Sequence, residues 1–186
     1  MEDAPNFLSK SVILLALAHL DQKLAAQGII GELCIFGGAA IILAFDARES
    51  TRDVEGIFVP KQKFATLAAE MGAEMGLPGG WLNDGVKRFL SPCGDFTDEE
   101  MTQFGHRRVQ RPTAHYLLAM KCLAAGVGGY DTSGDAEDVL ALCRHLKLTE
   151  AGAILKIVGQ FHPDTGIPVK TRYFVEELFP PASTDA

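Results

Sequence analysis

The apolar residues change period near residue 112, and that break limits the fold more than any other feature of the sequence. From Thr113 onward they recur only at helical spacing, over Thr113–Ala125, Asp135–Leu146, Thr149–Phe161 and Thr171–Leu178. Before it, short apolar runs alternate with helical ones. Glu32–Phe36 reads as a buried strand bounded by Gly37-Gly38, and Asp53–Val59 as a second strand closed by Pro60. Arg107–Gln110 reads as an edge strand that stops before Pro112. Asn6–Gln27, Ala39–Phe45 and Lys61–Met75 read as helices, with a short helix over Asn83–Leu90. The predicted fold is therefore α/β in the α+β sense: a small mixed sheet flanked by helices, followed by a C-terminal helical half. The expected division is an α/β core with its N-terminal helix over 1–110 and a helical half over 111–186, packed as one compact unit. A chain of 186 residues suits one domain with a small appendage.

Composition narrows the function. Apolar residues make up 47% of the chain, too many for disorder. Seventeen Lys and Arg against 24 Asp and Glu give a net charge of −7, which argues against a broad basic nucleic-acid surface but not against a small local one. Cys34, Cys93, Cys122 and Cys143 show no C-x-x-C spacing, so structural zinc is not expected and a reducing compartment is the simpler assumption. The acidic N-terminus lacks the basic start of a secretory signal. The most apolar run, Ser11–Leu20, is too short to span a membrane. The expected location is cytoplasmic, with no membrane partner.

Four local features carry potential chemistry, each with an ordinary structural alternative. Gly37-Gly38 between a strand and a helix is either a tight turn or a phosphate cradle with exposed amides. Asp53 and Glu55, two apart on a strand, place their carboxylates on one face. They are either a solvated strand end or a cation site, with Val54, Ile57 and Val59 directed to a core. Lys121, the lone charge in an apolar helix, either snorkels or meets a phosphate or carboxylate. Asp135 reads as an N-cap, with Asp138 three positions on and on the same side. This pair either complements the helix dipole or serves a ligand. Outside these four, His106, Arg107 and Arg108 form either a local basic patch for RNA or a solvated strand edge.

Taken in order, these residues resemble the nucleotidyltransferase superfamily, and in particular an uncharacterised bacterial branch. That branch is related to the nucleotidyltransferase toxins of abortive-infection and toxin–antitoxin systems. The likeness runs through Gly37–Glu55, Gly76–Asp84, Leu118–Lys121, Asp135 with Asp138, and Phe174–Phe179. It implies a nucleotidyltransferase-type sheet and Mg2+- or Mn2+-dependent transfer of a nucleoside monophosphate from an NTP to a tRNA, protein or small-molecule acceptor, with a cognate antitoxin as a candidate partner. By the same resemblance Gly37 and Gly38 hold the triphosphate, with Thr51 and Arg52 flanking it. Asp53 and Glu55 hold the metal together with Asp135, while Lys121 and Asp138 complete the catalytic set.

Two departures bear on activity. Ala125–Gly129 lacks the Arg that often follows the Lys-bearing helix in this branch, and extra residues fall around Tyr130–Gly134. Glu55 stands where Asp is commoner and reaches one methylene further. The alternative expectation is a catalytically inactive protein on the same fold that binds a nucleotide or a partner.

Overall fold

The computed structural model describes residues 7–128, 134–163 and 166–180, and it is an α+β structure. The chain divides into two compact units. One comprises Met1–Arg88 with Phe96–Pro112, the other Phe89–Asp95 with Thr113–Ala186.

The first unit is built on a five-stranded mixed sheet. After β1 (Leu8–Ser9) comes α1 (Lys10–Ala26), then β2 (Gly31–Ile35). Next are α2 (Gly37–Ala40), a π-helical turn (Ile41–Phe45), β3 (Ser50–Thr51) and β4 (Val54–Val59). The unit continues with α3 (Lys61–Met75), β5 (Leu82–Asn83), a 3-10 turn (Gly85–Phe89), β6 (Phe96–Thr97) and β7 (Arg107–Pro112). Strand order is β5-β4-β2-β7-β6. The central β2 runs antiparallel to β4 and parallel to β7, β5 is parallel to β4, and β6 is antiparallel to β7. A separate two-stranded ribbon joins β1 to β3, with Leu8 opposite Thr51.

Local chemistry explains the main boundaries. Ser9 caps α1, its hydroxyl accepting the Val12 amide at 3.4 Å. Lys61–Met75 follows the helical period as expected and ends at Gly76, whose φ of +66° suits a residue without Cβ. Leu20, Leu24, Phe64, Leu67 and Met71 are buried where α1 and α3 pack together. The Ser9 cap supports a direct expectation. Ser9→Ala should cost about 0.5–1 kcal/mol in urea unfolding, the lower part of the capping range because the bond is long.

Three expectations about this unit are corrected. Arg107–Gln110 neither stops before Pro112 nor is solvated: β7 runs on to Pro112, and although β6 pairs only with Arg111 and Pro112, the Gln103 side chain bonds the Val109 backbone on the other side. Its polar sequence is misleading because Arg107 and Arg111 are buried. The Arg107 Nη2 donates to Leu17 O at 2.9 Å, and its guanidinium lies 4.3 Å from the Phe104 ring centroid. Arg111 donates to the Glu99 and Pro112 carbonyls, pairs with Glu100 and lies over the Phe45 ring. Burial holds the Arg107 pKa down to about 10, with Asp21 opposing. Neither a solvated edge nor a basic patch including Arg107 fits this placement. The helix after β2 begins at Gly37 and widens into a π turn at Ile41. Finally, Val54, Gly56 and Phe58 form the buried face of β4, while Ile57 is half-buried and Val59 is 58% exposed. The period of two puts Ile57 and Val59 with Asp53 and Glu55, not with the core.

The second unit consists of α4 (Ala114–Gly128), α5 (Asp135–Leu146), α6 (Ala151–Phe161) and α7 (Val169–Leu178), joined by the segment 89–95. Helix α4 packs against all three others. Its sequence is apolar almost all round, as a central helix requires, and Tyr116, Leu117, Leu118, Ala119 and Cys122 are buried. The Tyr116 ring stacks on Phe161 at 4.9 Å, and its hydroxyl accepts the Ser91 amide at 2.7 Å. Of the extra residues expected around Tyr130–Gly134, those at 130–133 lie outside the described residues. Among the described residues no helix is long and apolar enough to cross a membrane.

Candidate functional site

The first unit gathers the glycine pair and the carboxylate pair. Gly37 opens α2 with a φ of +59°. A Cβ placed there would lie 2.5 Å from the Glu55 Oε2, so the carboxylate rests directly against the glycine backbone. A Cβ on Gly38 would lie 2.8 Å from the Thr51 Oγ1 and 3.2 Å from the Arg48 Nη1. A Cβ at either position would force a neighbouring side chain to shift, and at Gly37 the left-handed φ adds backbone strain. The β2/β4 pairing creates this closeness. Ile35 stands opposite Gly56, and the Phe36 amide donates to the Glu55 carbonyl at 2.9 Å.

Thr51 is buried, whereas Arg52 is exposed. The cation beside Gly38 is therefore Arg48, held by a 2.8 Å bond from its Nε to Ser50 O. Arg48 lies in the connection between the π-helical turn and β3. Nothing in its spacing from Gly38 shows that the chain folds back over the glycine.

Asp53 shares the Glu55 side of the strand, and its Oδ2 accepts a 2.8 Å hydrogen bond from the Asn83 Nδ2. Asn83 pairs with Glu55 in the parallel β4/β5 register, and its Oδ1 accepts the Gly85 amide at 2.9 Å. Next to it, Asp84 is taken up by Lys61 and Lys87. Hydrogen bonds from these two lysines pull the Asp84 pKa down to about 2, so it stays ionised at neutral pH. Asn83 was not singled out as a site residue, although it lies within the stretch that carries the family resemblance.

The second unit gathers the remaining candidates. The Lys121 Nζ lies 2.8 Å from the Asp135 Oδ1 and 2.7 Å from the Asp138 Oδ2. The three side chains are only 10%, 13% and 2% exposed. Burial works against the Lys121 charge, but the Asp138 and Asp135 carboxylates outweigh it and raise the pKa. Lys121 does not snorkel; it meets two carboxylates one helical turn apart. Asp135 is not the N-cap. Gly134 takes that position with a φ of +68°, and Asp135 is the first residue of α5. Its carboxylate reaches the lysine, while the acidic first turn still complements the helix dipole.

The structure thus brings Gly37, Gly38, Thr51, Glu55 and Arg48 together, with Asp53 joined through Asn83. It brings Lys121, Asp135 and Asp138 together in the other unit. Among the described residues no three His, Cys, Asp or Glu side chains gather as a metal-holding group. Burial pushes the Cys34 thiol up to about 12 and the Cys143 thiol to about 11, and raises Cys122 as well, so none of these is a ready thiolate. Comparison with protein-family models, curated proteins and solved structures finds no match to this chain.

Proposed function

We propose that this chain is a Mg2+-dependent nucleotidyltransferase. It moves a nucleoside monophosphate from an NTP to a hydroxyl on a tRNA, a protein or a small molecule. The observation that carries the reading is the contact of Glu55 with the backbone of Gly37, with Asp53 on the same side of the strand. Two carboxylates beside a glycine pair form a donor set suited to Mg2+, which completes its shell with phosphate oxygens and water. Mn2+ suits the same oxygen donors.

The residues present fit such an ion. Asp53 and Glu55 would hold it, and when bound it supplies Lewis-acid stabilisation of the phosphate charge. The Thr51 hydroxyl and the Arg48 guanidinium stand by Gly38, where they can bind phosphate oxygens. In the reaction the acceptor oxygen bonds to the α-phosphorus, the bond to the β-phosphate oxygen breaks, and pyrophosphate leaves. The acceptor proton passes to a carboxylate or to water. Arg52, exposed beside the pair, is assigned no more than an outer contact with phosphate or acceptor.

A second reading, a nucleotide- or partner-binding protein without catalysis, draws on a specific observation. Lys121 is already engaged by Asp135 and Asp138, and so has only one of its three protons left for another acceptor. A toxin–antitoxin role, with a cognate antitoxin as partner, belongs to either reading.

Asp53→Ala should weaken Mg-NTP binding at least tenfold, measured by titration calorimetry with each of the four NTPs. An unchanged affinity removes Asp53 from the site. Incubating the protein with α-labelled NTPs and total RNA separates the two readings. Label on RNA or on protein supports transfer, and its absence with Mg-NTP binding intact supports the binding role.

A further inference from the structure

We infer that Asn83 is a positioning residue that aims the Asp53 carboxylate at the cation, an inference that rests on the nucleotidyltransferase reading. The argument begins with the amide's two ends. The Asn83 Oδ1 accepts the Gly85 amide at 2.9 Å, and the Nδ2 donates to the Asp53 Oδ2 at 2.8 Å. An amide oxygen can only accept and an NH2 can only donate, so these two partners fix which way the amide faces. The backbone fixes the rest. Asn83 lies opposite Glu55 in the β4/β5 pairing, and the Val54 amide donates to the Trp81 carbonyl at 2.6 Å, holding β5 against β4.

Asp53 needs such support because it precedes the strand. Strand pairing orders Glu55, which also rests against Gly37, but β4 begins only at Val54. The Asn83 bond occupies Oδ2 and directs Oδ1 toward a cation. A carboxylate in place of Asn83 would add a third negative charge beside Asp53 and Glu55. The neutral amide avoids that repulsion and still orients its neighbour. A partner of this kind typically changes metal affinity by about 10- to 100-fold when removed.

Asn83→Ser separates this role from the turn. A serine hydroxyl can still accept the Gly85 amide, as Asn and Ser both do in turns, but it is too short to reach Asp53. The probe is calorimetric binding of ATP, GTP, CTP and UTP to the full chain with Mg2+, with Ca2+ and without metal. The expected result is a tenfold or greater loss of Mg-NTP affinity, a smaller loss with Ca2+ and none without metal. Mg2+ demands near-octahedral geometry and Ca2+ does not, so a misdirected carboxylate penalises Mg2+ more.

If wild type binds Mg-NTP and Asn83→Ser stays within twofold, the positioning role is overturned while the functional reading stands. Equal losses with all three metal conditions, accompanied by a lower Tm, would show a purely structural role and overturn it too. Asn83→Thr, whose hydroxyl likewise can accept the Gly85 amide and is too short to reach Asp53, provides the same comparison if the serine variant does not fold. If wild type binds no Mg-NTP, the functional reading fails first and takes this inference with it.

Discussion

Lys121→Met is expected to destabilise the protein by about 3–5 kcal/mol, measured by urea unfolding of the full chain. Methionine keeps the length and apolar character of the lysine stem, so the loss isolates the charge. Asp135 and Asp138 would remain at 13% and 2% exposure without the ammonium that lies within 2.8 Å of both. Removing one partner of a buried ion pair costs far more than the intact pair contributes. Adding Asp138→Leu to Lys121→Met should therefore restore much of the loss, because it removes the more buried of the two carboxylates. A cost below about 1 kcal/mol for Lys121→Met would mean that water reaches the cluster, since exposed pairs contribute no more than that.

The same cluster predicts an alkaline signature. The folded-state pKa of Lys121 lies above the unfolded value of 10.5: burial lowers it, and the Asp138 and Asp135 carboxylates more than offset this. The contribution is thus fully present below pH 10.5 and is lost as pH rises through the folded value. Wild type should lose stability in that range, while Lys121→Met, already without the charge, should lack this component.

The sequence revealed the elements better than their neighbours. Lys61–Met75 and Asp135–Leu146 show clear helical periods, and the structure places both helices over those spans. The shared side of Asp135 and Asp138 followed from spacing alone, because positions three apart in a helix must neighbour each other. Pairing across sequence distance was not available in that way. Arg107 looked like a solvent-facing residue because no local pattern shows the Leu17 carbonyl that receives it. Arg48 and Asn83 were missed for the same reason, since each meets the site through a fold-back that only the sheet order creates. Gly134 displaced Asp135 from the cap because a left-handed residue already ended the incoming chain, and the aspartate had a stronger partner in Lys121.

Gly37→Ala tests the glycine pair most directly, and its effect should divide into two parts. The first is backbone strain. A φ of +59° is left-handed, and a residue with a Cβ pays about 1–2 kcal/mol to adopt it. Gly76 provides the control, with a φ of +66° and no atom within 4 Å of its would-be Cβ. Gly76→Ala should show the strain and nothing more, leaving nucleotide binding unchanged. The second part belongs to Gly37 alone. Its new methyl would sit 2.5 Å from the Glu55 Oε2, too close for any real contact. The carboxylate is the end of a flexible side chain, so it should swing away rather than unfold the strand. The stability cost of the two variants should then be similar, while only Gly37→Ala loses Mg-NTP affinity, by about tenfold or more, through the displaced ligand. Equal stability costs with Mg-NTP binding intact in both would make Gly37 a turn residue only. Glu55 would then be a carboxylate that touches the glycine without serving the nucleotide.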